Sequence, residues 1–222
     1  LAPLYLSWRV LLTSRLPISD CDEVYNYWEP LHYLLYGTGM QTWEYAYEFA
    51  LRTFAYLVPL KIISQVILQP ILQTTNKLFW ITGAEIASHK VAQFAILRVL
   101  LGAVTASCEI MWLCALSVKV RSFSKIPLLL TAALLISCTG MNHAAAALLP
   151  SGTWIGAWSA AAAAFLFAEH RAFVILCVAA TLTTGWPFGA VCVIPMAFHI
   201  LWKEYTNGTL LRFSLFIAAT TL

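Results

Sequence analysis

Three carboxylates stand within four positions of this sequence: Asp20, Asp22 and Glu23. Neighbouring carboxylates repel one another, which raises the pKa of at least one of them and favours a general base. Such a base takes the proton from a hydroxyl group as that hydroxyl attacks an activated centre. From spacing alone, the alternative is an acidic loop that only caps the following helix.

The triplet Asp20-Cys21-Asp22 also matches the short D-x-D pattern with which many nucleotide-sugar transferases hold a divalent cation. A metal ion would need further oxygen ligands, and none of the six cysteines has a metal-binding spacing. The sequence contains no glycine-rich phosphate cradle, so we expect no soluble nucleotide-sugar donor. We predict no cofactor; a divalent cation is compatible with the pattern but is not indicated by it.

A dense set of aromatic side chains follows these carboxylates, within an acidic segment that we define as residues 17–48. Tyr and Trp favour the membrane interface, and they also stack against sugar rings. An interfacial belt explains the aromatics but not the carboxylates among them. We therefore predict a substrate-binding surface that contains Tyr25, Trp28, Glu29, His32, Trp43 and Glu44.

The composition indicates where such a segment must sit. Of the 222 residues, 61% are hydrophobic and 10% are charged, whereas a soluble domain carries about 25% charged residues. Apolar runs of about 15 to 25 residues match the ~20 residues that cross a bilayer. The sequence therefore predicts an all-α, polytopic transmembrane bundle in contact with membrane lipid. Its net charge of +3 is small and scattered, which predicts no nucleic-acid partner.

We divide the chain into three parts of one transmembrane domain. We predict a partial first span over residues 1–16 and a luminal or interfacial catalytic loop over residues 17–90. The remaining transmembrane helices are predicted over residues 91–222. Both ends of the sequence lie in apolar runs, so we expect a longer parent protein. Within 49–72, prolines and cations interrupt an apolar run, which favours an interfacial or re-entrant helix pair over a clean span.

The later spans follow the apolar runs, and Gly185 and Pro187 favour a broken helix pair over 172–202. Arg98 and Glu109 lie about three turns apart on one predicted helix, so both should face the bundle interior, in a structural role. The predicted spans are 91–117, 126–147, 152–168, 172–187 and 189–202, with a last one that enters at Phe213.

Positive charge in the short connections predicts the orientation. If the span 91–117 ends in the cytosol, alternation places six cations there: Lys119, Arg121, Lys125, Arg171, Lys203 and Arg212. The acidic segment then faces the lumen, provided that residues 49–72 do not cross fully. Four cations on that side count against the rule, and we treat them as interfacial or functional exceptions: Arg52, Lys61, Lys77 and Lys90. The sequon Asn207-Gly208-Thr209 falls in a cytosolic loop. We therefore predict that Asn207 carries no glycan.

The segment SDCDEVYNYWEPLHYLLYGTGMQTWEY resembles the dolichyl-phosphate-mannose α-1,2-mannosyltransferases of asparagine-linked glycosylation, whose family also contains the GPI-anchor mannosyltransferases. The resemblance continues through ALRTFAYL, ILQTTNK, LLPS at 148–151 and GWPF at 185–188. It spans nearly the whole chain, although the stretch from Lys77 to about Lys90 is extra relative to the family. It implies a GT-C architecture in the endoplasmic reticulum membrane, with the catalytic carboxylate in the first luminal loop.

The resemblance also implies an activity: transfer of mannose from dolichyl-phosphate-mannose to a dolichyl-diphosphate-linked oligosaccharide, with inversion and α-1,2 linkage, in N-glycan precursor assembly. The family's Asp-Glu pair maps to Asp22 and Glu23. Asp22 is then the expected base, while Glu23 and Asp20 hold acceptor hydroxyls or tune it. Arg52 is the first candidate to stabilise the leaving dolichyl phosphate.

Three other functions stay open at this stage. A GPI-anchor mannosyltransferase is disfavoured because SDCDE replaces the His-containing version of that motif. A transporter would line its path with Arg98, Glu109 and the broken helix at Gly185 to Pro187, but the sequence shows no internal repeat. A non-catalytic membrane scaffold is disfavoured by the intact Asp22-Glu23 pair.

Overall fold

The computed structural model describes residues 2–72, 74, 85–120, 125–184 and 187–221, and every regular element within these ranges is helical. Helix α1 spans Ala2–Arg15. In the acidic segment, a π-helical stretch, Glu23–Trp28, runs directly into α2, Glu29–Tyr36. A 3-10 turn, Phe54–Tyr56, leads into α3, Leu57–Ile63, which continues as a second π-helical stretch, Ser64–Leu68.

The second part of the chain contains the longest helix, α4, which spans Glu85–Val120. Six shorter helices follow it within the described residues, and a 3-10 stretch, Pro187–Val193, lies between α8 and α9. They are α5, Ile126–Ser137; α6, Thr139–Ala146; α7, Pro150–Leu166; α8, His170–Thr184; α9, Ile194–Thr206; and α10, Leu210–Thr221.

Two of the described helices are long and apolar enough to cross a membrane: Phe54–Leu72 with 19 residues and His89–Lys119 with 31 residues. Helices α5 and α6 would form a third span, bent by 61° at Cys138. The predicted all-α membrane fold is confirmed. Helices α7 to α10 have 17, 15, 13 and 12 residues, fewer than the ~20 of a straight span, so their crossing stays a prediction.

The helix pair predicted over residues 49–72 is replaced by one continuous helical run from Phe54 to Leu72. Pro59 was expected to break it, but Pro59 lies in the first turn of α3. The N–H groups of a first turn have no intrahelical acceptor, so proline is tolerated there. The stretch predicted to be extra, from Lys77 to Lys90, lies mostly outside the described residues, as do Arg121, Gly185 and Trp186.

Helices α1 and α4 run antiparallel. Tyr5 Oη donates a 2.7 Å hydrogen bond to Glu109 Oε2 near one end of the pair, while Arg98 Nη1 donates to the Leu16 carbonyl at 3.0 Å near the other. Because the end of α1 and the first part of α4 lie together, the chain between them returns to the side that it left. The chain between Leu16 and Arg98 therefore begins and ends at the same end of this helix pair.

The later connections alternate between two ends of the bundle. At the acidic end, defined by the acidic segment, Leu148 N donates to Glu23 Oε1 at 2.7 Å. At the opposite end, Lys119 Nζ lies 5.8 Å from the Phe167 ring centroid, and His170 Nδ1 lies 2.8 Å from Glu204 Oε1. The cations of these connections, Lys119, Lys125, Arg171, Lys203 and Arg212, thus collect at the opposite end.

The core that supports the acidic segment joins α2, α3 and α4. Leu31, Leu57, Leu97 and Leu148 are all buried in it. Burial of each such side chain contributes about 1.5–3 kcal/mol relative to exposure. This cluster fixes the acidic segment onto the first turns of α4.

Candidate active site

The acidic segment begins with a helix whose first residues are capped by Asp20. The Asp22 N–H donates a 2.9 Å hydrogen bond to Asp20 Oδ1, and the Glu23 N–H donates to the Asp20 carbonyl at 3.2 Å. These bonds satisfy N–H groups that the helix start leaves without acceptors. The capping alternative therefore describes Asp20, and it leaves the side chain of Asp22 free for another role.

Asp22 sits in a cluster with Arg52, Glu44 and Tyr27. Arg52 Nη2 lies 2.9 Å from Asp22 Oδ2, Arg52 Nε lies 2.7 Å from Glu44 Oε2, and Arg52 Nη1 donates to Tyr27 Oη. The Asp22 side chain is 42% exposed, and those of Arg52 and Glu44 are each 21% exposed. The structure thus brings together three predicted site residues, with Asp22 the most accessible of them.

The second oxygen of Asp22 is oriented from within the same helix. Asn26 Nδ2 donates a 2.8 Å hydrogen bond to Asp22 Oδ1, and the Asn26 carbonyl accepts one of 2.6 Å from Tyr45 Oη. A carboxylate offers about four acceptor sites. Asp22 is therefore held by donors on both oxygens and keeps acceptor capacity for a substrate hydroxyl.

Arg52 has most of its donors in use. Its guanidinium contacts two carboxylates and a tyrosine hydroxyl, and it lies 5.1 Å from the Tyr27 ring centroid. The positive charge is already balanced by Asp22 and Glu44. This arrangement favours Arg52 as the residue that holds Asp22 over the earlier assignment to the leaving phosphate.

Glu23 lies next to Asp22 but faces the protein interior. Its side chain is 1% exposed, its Oε1 lies 2.8 Å from Arg98 Nε in an ion pair, and the same oxygen accepts a hydrogen bond from Leu148 N at 2.7 Å. Burial raises the pKa of Glu23; the Leu148 N–H and Arg98 oppose this, and Asp20 adds to it. The expected rise in pKa is therefore present, with burial rather than carboxylate repulsion as its main cause. A buried carboxylate favours an anchoring role over contact with the acceptor.

The remaining predicted site residues divide into three groups. Glu29 Oε2 accepts from Met40 N at 3.2 Å and His32 Nδ1 lies 2.6 Å from the Thr38 carbonyl, so both hold the following loop against α2. Trp28 packs edge to face on Phe94 of α4. Tyr25 and Trp43 are exposed, and both are accessible for stacking on a sugar.

Sequence reasoning missed three residues of this cluster: Asn26, Tyr27 and Tyr45. Asn26 stands four positions after Asp22, so helical spacing alone could have found it. The contacts of Tyr27 and Tyr45 depend on how the loop that follows α2 folds back, and no local pattern indicates them.

The D-x-D triplet does bring its ligand atoms together, because those of Asp20, Cys21 and Asp22 all lie within 4.8 Å of one another. A hard divalent cation prefers six or more oxygen ligands. Asp22 instead accepts from Arg52 and Asn26, and Asp20 Oδ1 accepts from a backbone N–H. The described residues therefore fit a carboxylate paired with a cationic side chain better than a metal site.

Comparison with known proteins assigns the chain to a family. A family model of the Alg9-like mannosyltransferase family matches residues 3–222. The chain is 34% identical over 222 residues to the alpha-1,2-mannosyltransferase ALG9 of Homo sapiens. This alignment covers 95% of this chain and 33% of the human protein. It is also 34% identical over 191 residues to the alpha-1,2-mannosyltransferase ALG9 of Arabidopsis thaliana, an alignment that covers 86% of this chain and 30% of that protein.

A more distant match is the alpha-1,2-mannosyltransferase ALG9 of Saccharomyces cerevisiae, 29% identical over 208 residues, with 87% of this chain and 33% of that protein covered. The chain thus spans about a third of the length of the curated relatives that it matches. No solved structure matches it. Because the family model covers the acidic segment and all the helices after it, the chain belongs to the Alg9-like mannosyltransferase family.

Proposed function

We propose that the parent protein transfers mannose from dolichyl-phosphate-mannose to a dolichyl-diphosphate-linked oligosaccharide and forms an α-1,2 linkage in N-glycan precursor assembly. The observation that carries this proposal is Asp22, an accessible carboxylate whose oxygens are oriented by Arg52 and Asn26. The α-1,2-mannosyltransferase names of the relatives support the linkage.

The reaction needs one displacement at C1 of the mannose. The donor is β-linked and the product α-linked, so a single inversion suffices and no covalent enzyme intermediate forms. Asp22 accepts the proton of the acceptor 2-hydroxyl while the oxygen of that hydroxyl bonds to C1. The bond from C1 to the phosphate oxygen breaks, and its electron pair leaves with dolichyl phosphate. A positioned base of this kind contributes typically 10²–10⁴-fold to the rate.

The site is proposed to face the lumen of the endoplasmic reticulum. Described cations of the connections, such as Lys119, Arg171 and Lys203, lie at the end of the bundle opposite to Asp22. Cytosolic connections carry the excess of Lys and Arg. The opposite end is therefore the cytosolic one, and the acidic end meets the luminal face of the membrane.

Asn207 tests this orientation. It lies at the opposite end, in the turn between α9 and α10, so we expect the sequon to carry no glycan and glycosidase treatment to leave the mobility of the protein unchanged. A matched control is Tyr36→Asn, which creates a second Asn-Gly-Thr triplet at the acidic end and should add one glycan. Detection of a glycan at Asn207 would show that the orientation is the reverse of the proposed one, with Asp22 in the cytosol.

We also expect transfer to be independent of divalent cations. Arg52 supplies the positive charge beside Asp22, and the triplet Asp20-Cys21-Asp22 lacks the ligand number that a hard cation prefers. Transfer rates in excess EDTA should equal those in buffer with added Mg²⁺ or Mn²⁺. Loss of activity in EDTA that returns specifically with one of these ions would make the triplet a metal site instead.

Arg52→Met should lower kcat about 10- to 100-fold, because misplacement of a catalytic group by about 1 Å costs on the order of 10². Arg52→Lys retains the charge but not the forked contact with Glu44 and Tyr27, and it should lose less. Steady-state kinetics with varied donor distinguish the two roles of Arg52. A higher KM for dolichyl-phosphate-mannose with unchanged kcat would return Arg52 to the phosphate-binding role.

The transporter alternative is not favoured by the buried charges. Arg98 pairs with Glu23, and Glu109 pairs with Arg9 at 2.6 Å with both side chains fully buried. Side chains with almost no exposed surface do not line an aqueous path. Each of these residues therefore supports the helix packing.

A donor comparison tests the proposed function. Microsomes that contain the full-length parent protein should transfer mannose from dolichyl-phosphate-mannose to the lipid-linked acceptor. GDP-mannose should give no transfer when synthesis of dolichyl-phosphate-mannose is blocked. Direct use of GDP-mannose would replace the lipid-linked donor in this proposal.

A further inference from the structure

Arg98, in the first half of α4, joins three separate parts of the chain at the acidic end. Its Nε lies 2.8 Å from Glu23 Oε1 and donates a 3.0 Å hydrogen bond to the carbonyl of Ala146, so it contacts the acidic segment and the last residue of α6. Its Nη1 and Nη2 donate to the carbonyls of Leu16 and Pro17 at 3.0 and 3.3 Å. The one Nε–H and the two Nη groups donate these three hydrogen bonds to carbonyls, and the contact with Glu23 is an ion pair.

The partner of Arg98 is the residue next to the proposed base. Glu23 is fully buried, and its Oε1 also accepts from Leu148 N at 2.7 Å. Asp22 precedes it on the same helical turn, with its side chain directed outward to Arg52. Arg52 thus holds the Asp22 side chain on the outer face of the helix, and the ion pair of Glu23 with Arg98 holds the same helical turn on its buried face.

We infer that Arg98 is a positioning residue for mannose transfer: by pairing with buried Glu23 it sets the place of Asp22 relative to Arg52, a role that rests on the proposed function. Each described polar contact of Arg98 is with another residue of the protein, so Arg98 acts through these residues rather than on a substrate. Its loss should therefore change the rate of the chemical step far more than the binding of either substrate.

The charge balance predicts how the pair responds to substitution. Removal of Arg98 alone leaves Glu23 as an unpaired buried charge, which costs more than removal of both charges together. Arg98→Met should therefore be more damaging than the double variant Arg98→Met with Glu23→Gln. Arg98→Lys keeps the charge but loses the fork to Leu16 and Pro17, and it should fall between the parent and Arg98→Met.

The test is steady-state kinetics on the full-length protein and these three variants. Arg98→Met should lower kcat about 10- to 100-fold, with KM for donor and acceptor within about threefold of the parent. Arg98→Lys and the double variant should both recover part of the lost kcat. A raised donor KM with unchanged kcat would make Arg98 a substrate ligand, and a double variant no better than Arg98→Met would remove Glu23 from the argument.

A second measurement does not depend on activity. Cys21 is exposed between Asp20 and Asp22, and Cys192 is exposed near the acidic end. Labelling by a maleimide, followed on each peptide by mass spectrometry, should be several-fold faster at Cys21 in Arg98→Met and unchanged at Cys192. Unchanged labelling of Cys21, or an equal rise at both cysteines, would overturn the positioning role. If the parent transfers no mannose but Cys21 responds as expected, the proposed function fails and the anchor remains.

Discussion

Asp22→Asn is expected to lower kcat for mannose transfer about 1,000-fold, within the range typical of a lost general base. The amide keeps the shape of the side chain and still accepts from Arg52, but it cannot take the acceptor proton. KM for the donor should change little, because Asp22 acts on the acceptor hydroxyl in the transition state. The measurement is the initial rate of transfer with the full-length variant at saturating donor.

Asp20→Asn is the matched control for that experiment. Asp20 and Asp22 stand two positions apart, but Asp20 Oδ1 accepts a hydrogen bond from the Asp22 N–H, which an amide oxygen can also accept. The control should retain activity within about tenfold of the parent, the effect of a weakened helix cap. Equal losses in the two variants would mean that the pair acts as one unit, and near-parental transfer by Asp22→Asn would reject Asp22 as the base.

Loss of the buried pair Arg9–Glu109 should have the largest effect on folding. Arg9 Nη2 lies 2.6 Å from Glu109 Oε2 and also donates to Tyr5 Oη, while Arg9 Nη1 donates to Asn142 Oδ1. Glu109→Leu leaves Arg9 charged and unpaired between α1, α4 and α6, which costs about 3–5 kcal/mol. We expect a sharp fall in the abundance of the variant in a chase experiment.

The double variant Arg9→Met with Glu109→Leu separates lost charge balance from lost packing. Replacement of both charges by apolar groups of similar volume is often neutral or stabilising, so abundance should return most of the way to that of the parent. Ser107→Ala, two positions away on the exposed face of α4, should behave like the parent. A double variant as scarce as Glu109→Leu would show that the pair contributes by its geometry and not by charge neutralisation.

The class of fold followed from composition, whereas residue type placed the candidate site in the acidic segment, and that location stays a prediction. A chain with 10% charged residues and long apolar runs has few alternatives to a helical membrane bundle. The pattern also predicted that Arg98 and Glu109 face inward, and both are buried. Their partners, Glu23 and Arg9, lie on other segments, and no local spacing connects them.

The different environments of Asp22 and Glu23 were beyond sequence reasoning. Adjacent residues of a helix point in different directions, so one of the two had to face inward, but the sequence pattern does not say which. The choice depends on Arg98 and on the Leu148 N–H, which approach Glu23 from α4 and from the connection before α7. The error at Pro59 has a local cause, because the sequence pattern does not show that α3 begins at Leu57, the start that puts this proline in a first turn.

Mannose transfer by the full-length parent protein, measured beside Asp22→Asn, tests the central claim most directly. Dolichyl-phosphate-mannose and a dolichyl-diphosphate oligosaccharide are supplied, and the linkage of the product is read with an α-1,2-specific mannosidase. We predict an α-1,2-linked mannose on the acceptor with the parent and almost none with Asp22→Asn. Absence of transfer by the parent to any mannose-terminated lipid acceptor would contradict the assignment of this chain to a mannose-transferring enzyme.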